Sequence, residues 1–208
     1  MLKCLQNLAY DQFYCEHIYV FSTLALREVL KSFKLEIFDV ENTKTHGGSN
    51  RYYIKKNTNS LYKINNRVNA EIKKELQFGL NKFSTYQKFA KNVKISKSKL
   101  LKIFSSLNKK KLRIIGYGAT AKSCTVLNYC GLGKSDIKYF YDTTSYKVNK
   151  YLPGSKILIK KYKKLDNKEI DVAFLGAWNF KKEIFKKEKK FIEGGGKFIT
   201  HVPNPSII

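Results

Sequence analysis

The stretch Arg113-Ile-Ile-Gly-Tyr-Gly-Ala-Thr-Ala-Lys122 constrains the fold of this chain most. Ile114 and Ile115 read as the end of a buried strand. Gly116 and Gly118 permit a tight turn in which the backbone comes close to a ligand, and small Ala119 and Ala121 let the next helix pack on a sheet. A strand, a glycine turn and a helix start form a seat for a phosphate. The pattern is only a G-x-G-x-x-A variant, which also occurs as a plain connection, so its meaning depends on its surroundings.

Those surroundings are strand-like. Asp136-Ile-Lys-Tyr-Phe-Tyr-Asp142 reads as a second strand ending in a carboxylate, and Ile170-Asp-Val-Ala-Phe-Leu-Gly-Ala-Trp-Asn179 as a third, buried, with a polar exit. Gly194-Gly-Gly-Lys-Phe-Ile-Thr-His-Val-Pro203 follows. From residue 112 onward strands alternate with helices, which predicts a parallel sheet covered on both faces. One helix follows the glycine turn and ends at Gly131; another runs from about Phe180 to Ile192 and carries Glu183 four residues before Lys187. Tyr151-Leu-Pro-Gly154 predicts a turn at the pocket edge.

Ahead of this unit, residues 10–21 are aromatic and β-branched, consistent with a short strand or loop. Ser22 is placed to cap a helix whose Leu26, Val29, Leu30 and Phe33 recur at helical spacing. Leu35-Glu-Ile-Phe-Asp-Val40 and Arg51-Tyr-Tyr-Ile54 predict two strands joined by a glycine turn at His46 to Ser49, a hairpin with an open edge. Ile64, Val68, Ile72, Leu76 and Leu80 predict one long helix, and Ser96 to Leu107 a second. The Lys109 to Lys111 run reads as a solvated helix end.

Composition bounds the rest. A chain of 208 residues with 43% hydrophobic and 14% aromatic side chains buries one good core and a smaller second one. The formal net charge is +25, but the basic residues are nearly all Lys, with Arg only at 27, 51, 67 and 113. Scarce Arg argues against base reading, so the charge reads as solvated lysine faces that attract a diphosphate rather than as a specific nucleic-acid surface. Cys4, Cys15, Cys124 and Cys130 form no C-x-x-C pair, which suits a reduced compartment, and no apolar run reaches membrane-spanning length. A cytoplasmic protein, with no membrane partner and no metal site of its own, is expected.

Taken in order, the C-terminal segments resemble the C-terminal domain of the S-adenosylmethionine-dependent nucleotide-sugar C-methyltransferases. Upstream, Phe13-Tyr-Cys-Glu-His-Ile-Tyr-Val-Phe-Ser22 resembles that family's "Tyr-His-Glu-His" catalytic segment, and Thr45-His-Gly-Gly-Ser-Asn-Arg51 its "GGS-x-R" loop. The resemblance implies an α/β fold: residues 1–58 as the end of a methyltransferase domain with a partial sheet, 59–110 as a helical connector, and 111–208 as a Rossmann-like C-terminal domain. It also implies a zinc-binding cysteine domain and an S-adenosylmethionine-binding domain ahead of these parts. Neither the cysteine quartet nor the glycine-rich methyl-donor motif occurs in the sequence. The expectation is therefore a truncated, C-terminal half: a fragment, a shortened relative, or the partner of a separately encoded half that carries the cofactor and zinc sites.

The resemblance makes His17 the base that removes a proton beside a keto group, with Tyr14 and Glu16 as its companions; an imidazole suits that task because its ordinary pKa lies near working pH. Cys15 departs from the family pattern, since a thiol cannot replace an imidazole. Gly47, Gly48, Ser49 and Arg51 are expected near substrate phosphate, though an ordinary hairpin turn fits them as well. At the carboxyl ends of the C-terminal strands, Gly116, Tyr117, Gly118, Ala119, Lys122, Asp142, Trp178, Asn179 and His201 are expected to line a nucleotide-sugar site. Plain alternatives are a capping Asn179, a packing Trp178 and a surface Lys122. Two rival functions stand beside this one: an NAD-type dinucleotide module using Asp142 for a ribose hydroxyl, and a non-catalytic sugar-nucleotide binder.

Overall fold

The structure, a computed structural model, describes all 208 residues. The chain forms two compact units: Met1–Asn7 with Ile18–Asn92, and Leu8–His17 with Val93–Ile208.

In the first unit a short helix α1 (Leu2–Gln6) precedes α2 (Thr23–Ser32). The Ser22 hydroxyl accepts from the Ala25 amide at 3.0 Å, the expected N-cap. Strands β1 (Leu35–Thr43) and β2 (Ser49–Lys56) pair antiparallel into a two-stranded sheet, with a register shift between Ile37 and Asp39. Helix α3 (Asn66–Phe78) follows, capped by Asn65 and ended by Gly79 at φ +87°. Leu30, Ile37, Val40 and Val68 form the core under Leu26, Leu35, Tyr52 and Ile72. The expected five-residue stripe is only partly apolar and buried. Ile64 lies before the helix and Leu76 is exposed, while Glu71 and Glu75 are buried. Glu75 explains this, because its carboxylate accepts from the Thr23 and Leu24 amides at 2.8 and 2.9 Å. An anion thus sits on the first turn of α2, where unpaired N–H groups favour it.

Helix α4 (Phe83–Lys109) carries the chain from the first unit into the second. It begins well ahead of Ser96, where the second helix is expected to start. Tyr86, Phe89, Val93, Ser96, Leu100, Phe104 and Leu107 continue one helical spacing, so the earlier turns follow the same period.

The second unit opens with a 3-10 turn at Tyr10–Gln12 and resumes with the later turns of α4. Its remaining elements are β3 (Ile114–Tyr117), α5 (Ala121–Cys130), β4 (Phe140–Asp142), β5 (Ile159–Lys161), β6 (Val172–Leu175), α6 (Lys181–Lys187), α7 (Lys189–Glu193), β7 (Lys197–Thr200) and β8 (Ser206–Ile207). The sheet order is β5-β4-β3-β6-β7-β8, all parallel except β8 on β7. That is the doubly wound order, whose direction of winding reverses between β3 and β6. The Rossmann-like α/β fold expected from the sequence is thus present.

Two details differ. The connections after β4 and β5 hold no α-helix, only a 3-10 turn at Ser145–Lys147 and loops. The expected single helix from Phe180 to Ile192 is broken at Glu188, which is buried and accepts from Tyr117 Oη, Tyr162 Oη and the Leu165 amide at 2.9, 2.7 and 3.0 Å. Nearby, Lys187 lies 3.5 Å from the centre of the Tyr162 ring. Leu175, Phe191 and Phe198 belong to the core on this side, and Phe104, Phe140 and Phe174 are fully buried as well. No helix is long and apolar enough to cross a membrane.

Candidate active site

In the second unit, residues 10–17 return to the carboxyl edge of the parallel sheet. The Thr125 hydroxyl on α5 donates to the Phe13 carbonyl at 3.4 Å, and Lys122 Nζ stands 5.8 Å from the centre of the Tyr14 ring. Asp11, fully buried, accepts from Trp178 Nε1 at 2.6 Å just past β6 and from His201 Nε2 at 2.9 Å just past β7. The segment thereby lies at the switch point, where open α/β sheets place ligands.

His17 is held on both ring nitrogens. Nδ1 lies 2.8 Å from the Gln12 carbonyl oxygen, and Nε2 lies 2.8 Å from Tyr14 Oη. A carbonyl only accepts, so the network assigns the proton to Nδ1 and leaves the Nε2 lone pair to accept from the phenol. The two rings lie against each other at a tilt of 32°, with centroids 4.0 Å apart. Burial first, then the neighbouring charges of Glu16, Asp11 and Cys15, raise the Tyr14 pKa above its ordinary value, so the phenol keeps its proton. His17 and Tyr14 are half-buried, whereas Glu16 and Cys15 are exposed.

Lys122 is buried rather than a surface residue. Desolvation lowers its pKa, and the carboxylates of Asp11 and Glu16 oppose that shift. The side chain is a cation kept among two anions and a phenol.

The glycine turn is differently built from its expected role. A Cβ on Gly116 would lie 2.3 Å from the Phe140 ring, and one on Gly118 2.8 Å from Ala177 Cβ. Both positions are small because protein, not ligand, fills the space. Tyr117 faces the core and donates to Glu188, away from the crevice. Asp142 accepts from the Ala119 amide through Oδ2 and from the Thr144 amide through Oδ1, both at 2.8 Å. Lys147 Nζ donates to the Ala119 carbonyl at 2.9 Å and lies 3.9 Å from Asp142. The chain's own carboxylate therefore takes an amide that a phosphate or ribose contact would need. This disfavours the NAD-type reading.

The other expected residues are placed as follows. Asn179 is half-buried in a 3-10 turn at Trp178–Phe180 and does not cap α6, whose N-cap is Phe180. Gly154, at the end of the Tyr151-Leu-Pro-Gly turn, faces Asn128 near the end of α5, so that turn lies away from the glycine-turn end of this helix. Gly47, Gly48, Ser49 and Arg51 belong to the first unit, where they close the β1–β2 hairpin. The Gly48 amide and the Ser49 hydroxyl both donate to the Thr45 carbonyl, and Arg51 pairs with Glu41 at 3.5 Å across the strands. Nowhere do three His, Cys, Asp or Glu side chains group as a metal would require.

Asp11 is the residue that motif reading missed. A lone aspartate among aromatics has no pattern, and its partners stand 167 and 190 residues away in sequence. The chain is 30% identical over its whole length to C-methyltransferase NovU of Streptomyces niveus, and spans 49% of that protein. Residues 44–203 match the family described as the C-methyltransferase C-terminal domain, from the turn after β1 through β2 and almost the whole parallel sheet, and the chain belongs to that family.

Proposed function

We propose that this chain forms the substrate-side half of a C-methyltransferase acting on a nucleotide-linked keto sugar, with His17 as the base that makes the enolate. The observation that carries the reading is the Tyr14–His17 pair, in which Nδ1–H is fixed by the Gln12 carbonyl and Nε2 is the basic nitrogen. Family membership and the similarity to a C-methyltransferase support it. In the reaction the bond from hydrogen to the carbon beside the keto group breaks. The proton goes to Nε2, directly or through the Tyr14 hydroxyl, and the electron pair moves to the keto oxygen. Nearby Lys122 offers a positive charge to the developing oxyanion or to the diphosphate.

A methyl donor of the S-adenosylmethionine type would supply an electrophilic methyl group to that enolate. The residues of this chain do not fit such a donor, since its one strand–glycine-turn–helix unit is closed by Asp142, Phe140 and Ala177. A separately encoded half carrying that site, and the family's zinc site, is the partner this reading requires.

The test is exchange of the substrate's α-keto proton in deuterated water by the chain joined with a donor-binding half. His17→Asn is expected to abolish exchange and leave nucleotide-sugar affinity nearly unchanged, because the base acts in the proton-transfer step. Cys15→His, which restores the family residue, is expected to be tolerated. Parent-level exchange in His17→Asn removes the histidine from this role, and binding without exchange in the parent supports a non-catalytic binder instead.

A further inference from the structure

Asp11 is fully buried on a segment whose other polar residues bear on the reaction. One oxygen of its carboxylate receives both the Trp178 indole N–H and the His201 imidazole N–H. A buried carboxylate stripped of its donors is strongly disfavoured, so these two contacts hold the 3-10 turn Tyr10–Gln12 against the sheet edge. His201 is itself immobilised, stacked on Phe174 with centroids 5.7 Å apart and edge-on to Tyr10 at 6.0 Å. Gln12, the next residue along, presents the carbonyl that fixes the His17 Nδ1 proton. A continuous set of contacts thus runs from the exits of β6 and β7 through Asp11 and Gln12 to the Nδ1–H of His17.

We propose that Asp11 is a positioning residue: with Trp178 and His201 as its docking partners, it fastens residues 10–17 to the sheet and so sets the tautomer and aim of His17. Trp178 and His201 are then parts of the fastening rather than substrate contacts, since their N–H groups are spent on Asp11. The inference rests on the proposed role of His17 for its consequence in catalysis, but its test uses no substrate.

The experiment is nitrogen-15 NMR and amide hydrogen exchange on the full chain and on Asp11→Asn and Trp178→Phe. In the parent, neutral His17 is expected to show a protonated Nδ1 and an unprotonated Nε2. In both variants the His17 ring shifts are expected to move toward the mixed tautomers of a free imidazole. Exchange at residues 12–17 should rise by about tenfold or more while β3 and β6 keep parental protection. The double variant should add little to either single one, as expected for groups acting as a unit. Trp178→Phe keeps an aromatic ring and carries the test if Asp11→Asn does not fold. Parental His17 shifts and exchange in Trp178→Phe overturn the proposal, and so does protection lost evenly through β3 and β6, which makes Asp11 a general stability residue. If the ring shifts respond but the parent exchanges no substrate proton, the fastening stands and the functional reading fails.

Discussion

Lys122 shows how one side chain couples packing to chemistry. Burial lowers its pKa from the ordinary 10.5, while Asp11 and Glu16 favour the charged form. A diphosphate brought to this cation gains a charge-assisted contact, so Lys122→Ala is expected to weaken nucleotide-sugar binding by about 1–2 kcal/mol at low salt. Titration calorimetry reads this directly, and unchanged affinity places the phosphates elsewhere. The sign of the pH dependence follows from protonation: affinity is present while the ammonium is charged and is lost as pH rises through a pKa below the usual lysine value. The parent should lose affinity with rising pH and Lys122→Ala should not. Lys122, Tyr14 and His17 were legible in sequence because each stands in a motif. Asp11 was not, and its meaning comes from partners at the far end of the chain.

Among elements, the start of β3 is tied to the start of β6. Arg113 donates to both Asp171 oxygens, from Nη2 at 2.7 Å and Nε at 3.0 Å, and its amide adds a bond at 2.7 Å. The guanidinium also reaches the Lys168 carbonyl. These bonds hold the Asp171 carboxyl at a pKa of about 2 against an ordinary 3.8. With the folded pKa depressed, the pair contributes fully above the unfolded value and its contribution is lost as pH falls from 3.8 toward about 2. The pair is about a third exposed, so Asp171→Asn is expected to cost about 1 kcal/mol at neutral pH after allowance for solvent screening. Urea unfolding at pH 7 and in that acid window checks both points, since the variant should show a shallower acid loss. No change in either rules out the tie as a stabilising contact. Strands β3, β4 and β6 were readable from apolar runs and two helix caps from Ser22 and Gly131, whereas the short β5 and β8 were not. The break at Glu188 was not, because a glutamate within a helical run looks solvated until two tyrosines are seen to point at it.

For the molecule as a whole, the chain spans about half the length of the curated relative it matches. Its glycine turn is filled from within, which has a measurable consequence. The isolated chain is expected to give no saturable heat with S-adenosylmethionine in calorimetry, and micromolar binding would overturn that expectation. The net charge of +25 is carried largely by lysines on solvated faces, so raising ionic strength should weaken binding of a diphosphate without abolishing it.

Sequence alone determined the α/β class, the apolar strands β3, β4 and β6, the glycine turn with the helix after it, and the family, because these rest on local periodicity, turn chemistry and motifs that span a few residues. Tertiary structure alone decided what those motifs touch. It put Asp142 on the Ala119 amide, turned Tyr117 into the core, and brought Asp11 to Trp178 and His201. The physical reason is that a buried polar group must find its partner wherever the fold delivers one, and that distance in sequence leaves no periodic trace.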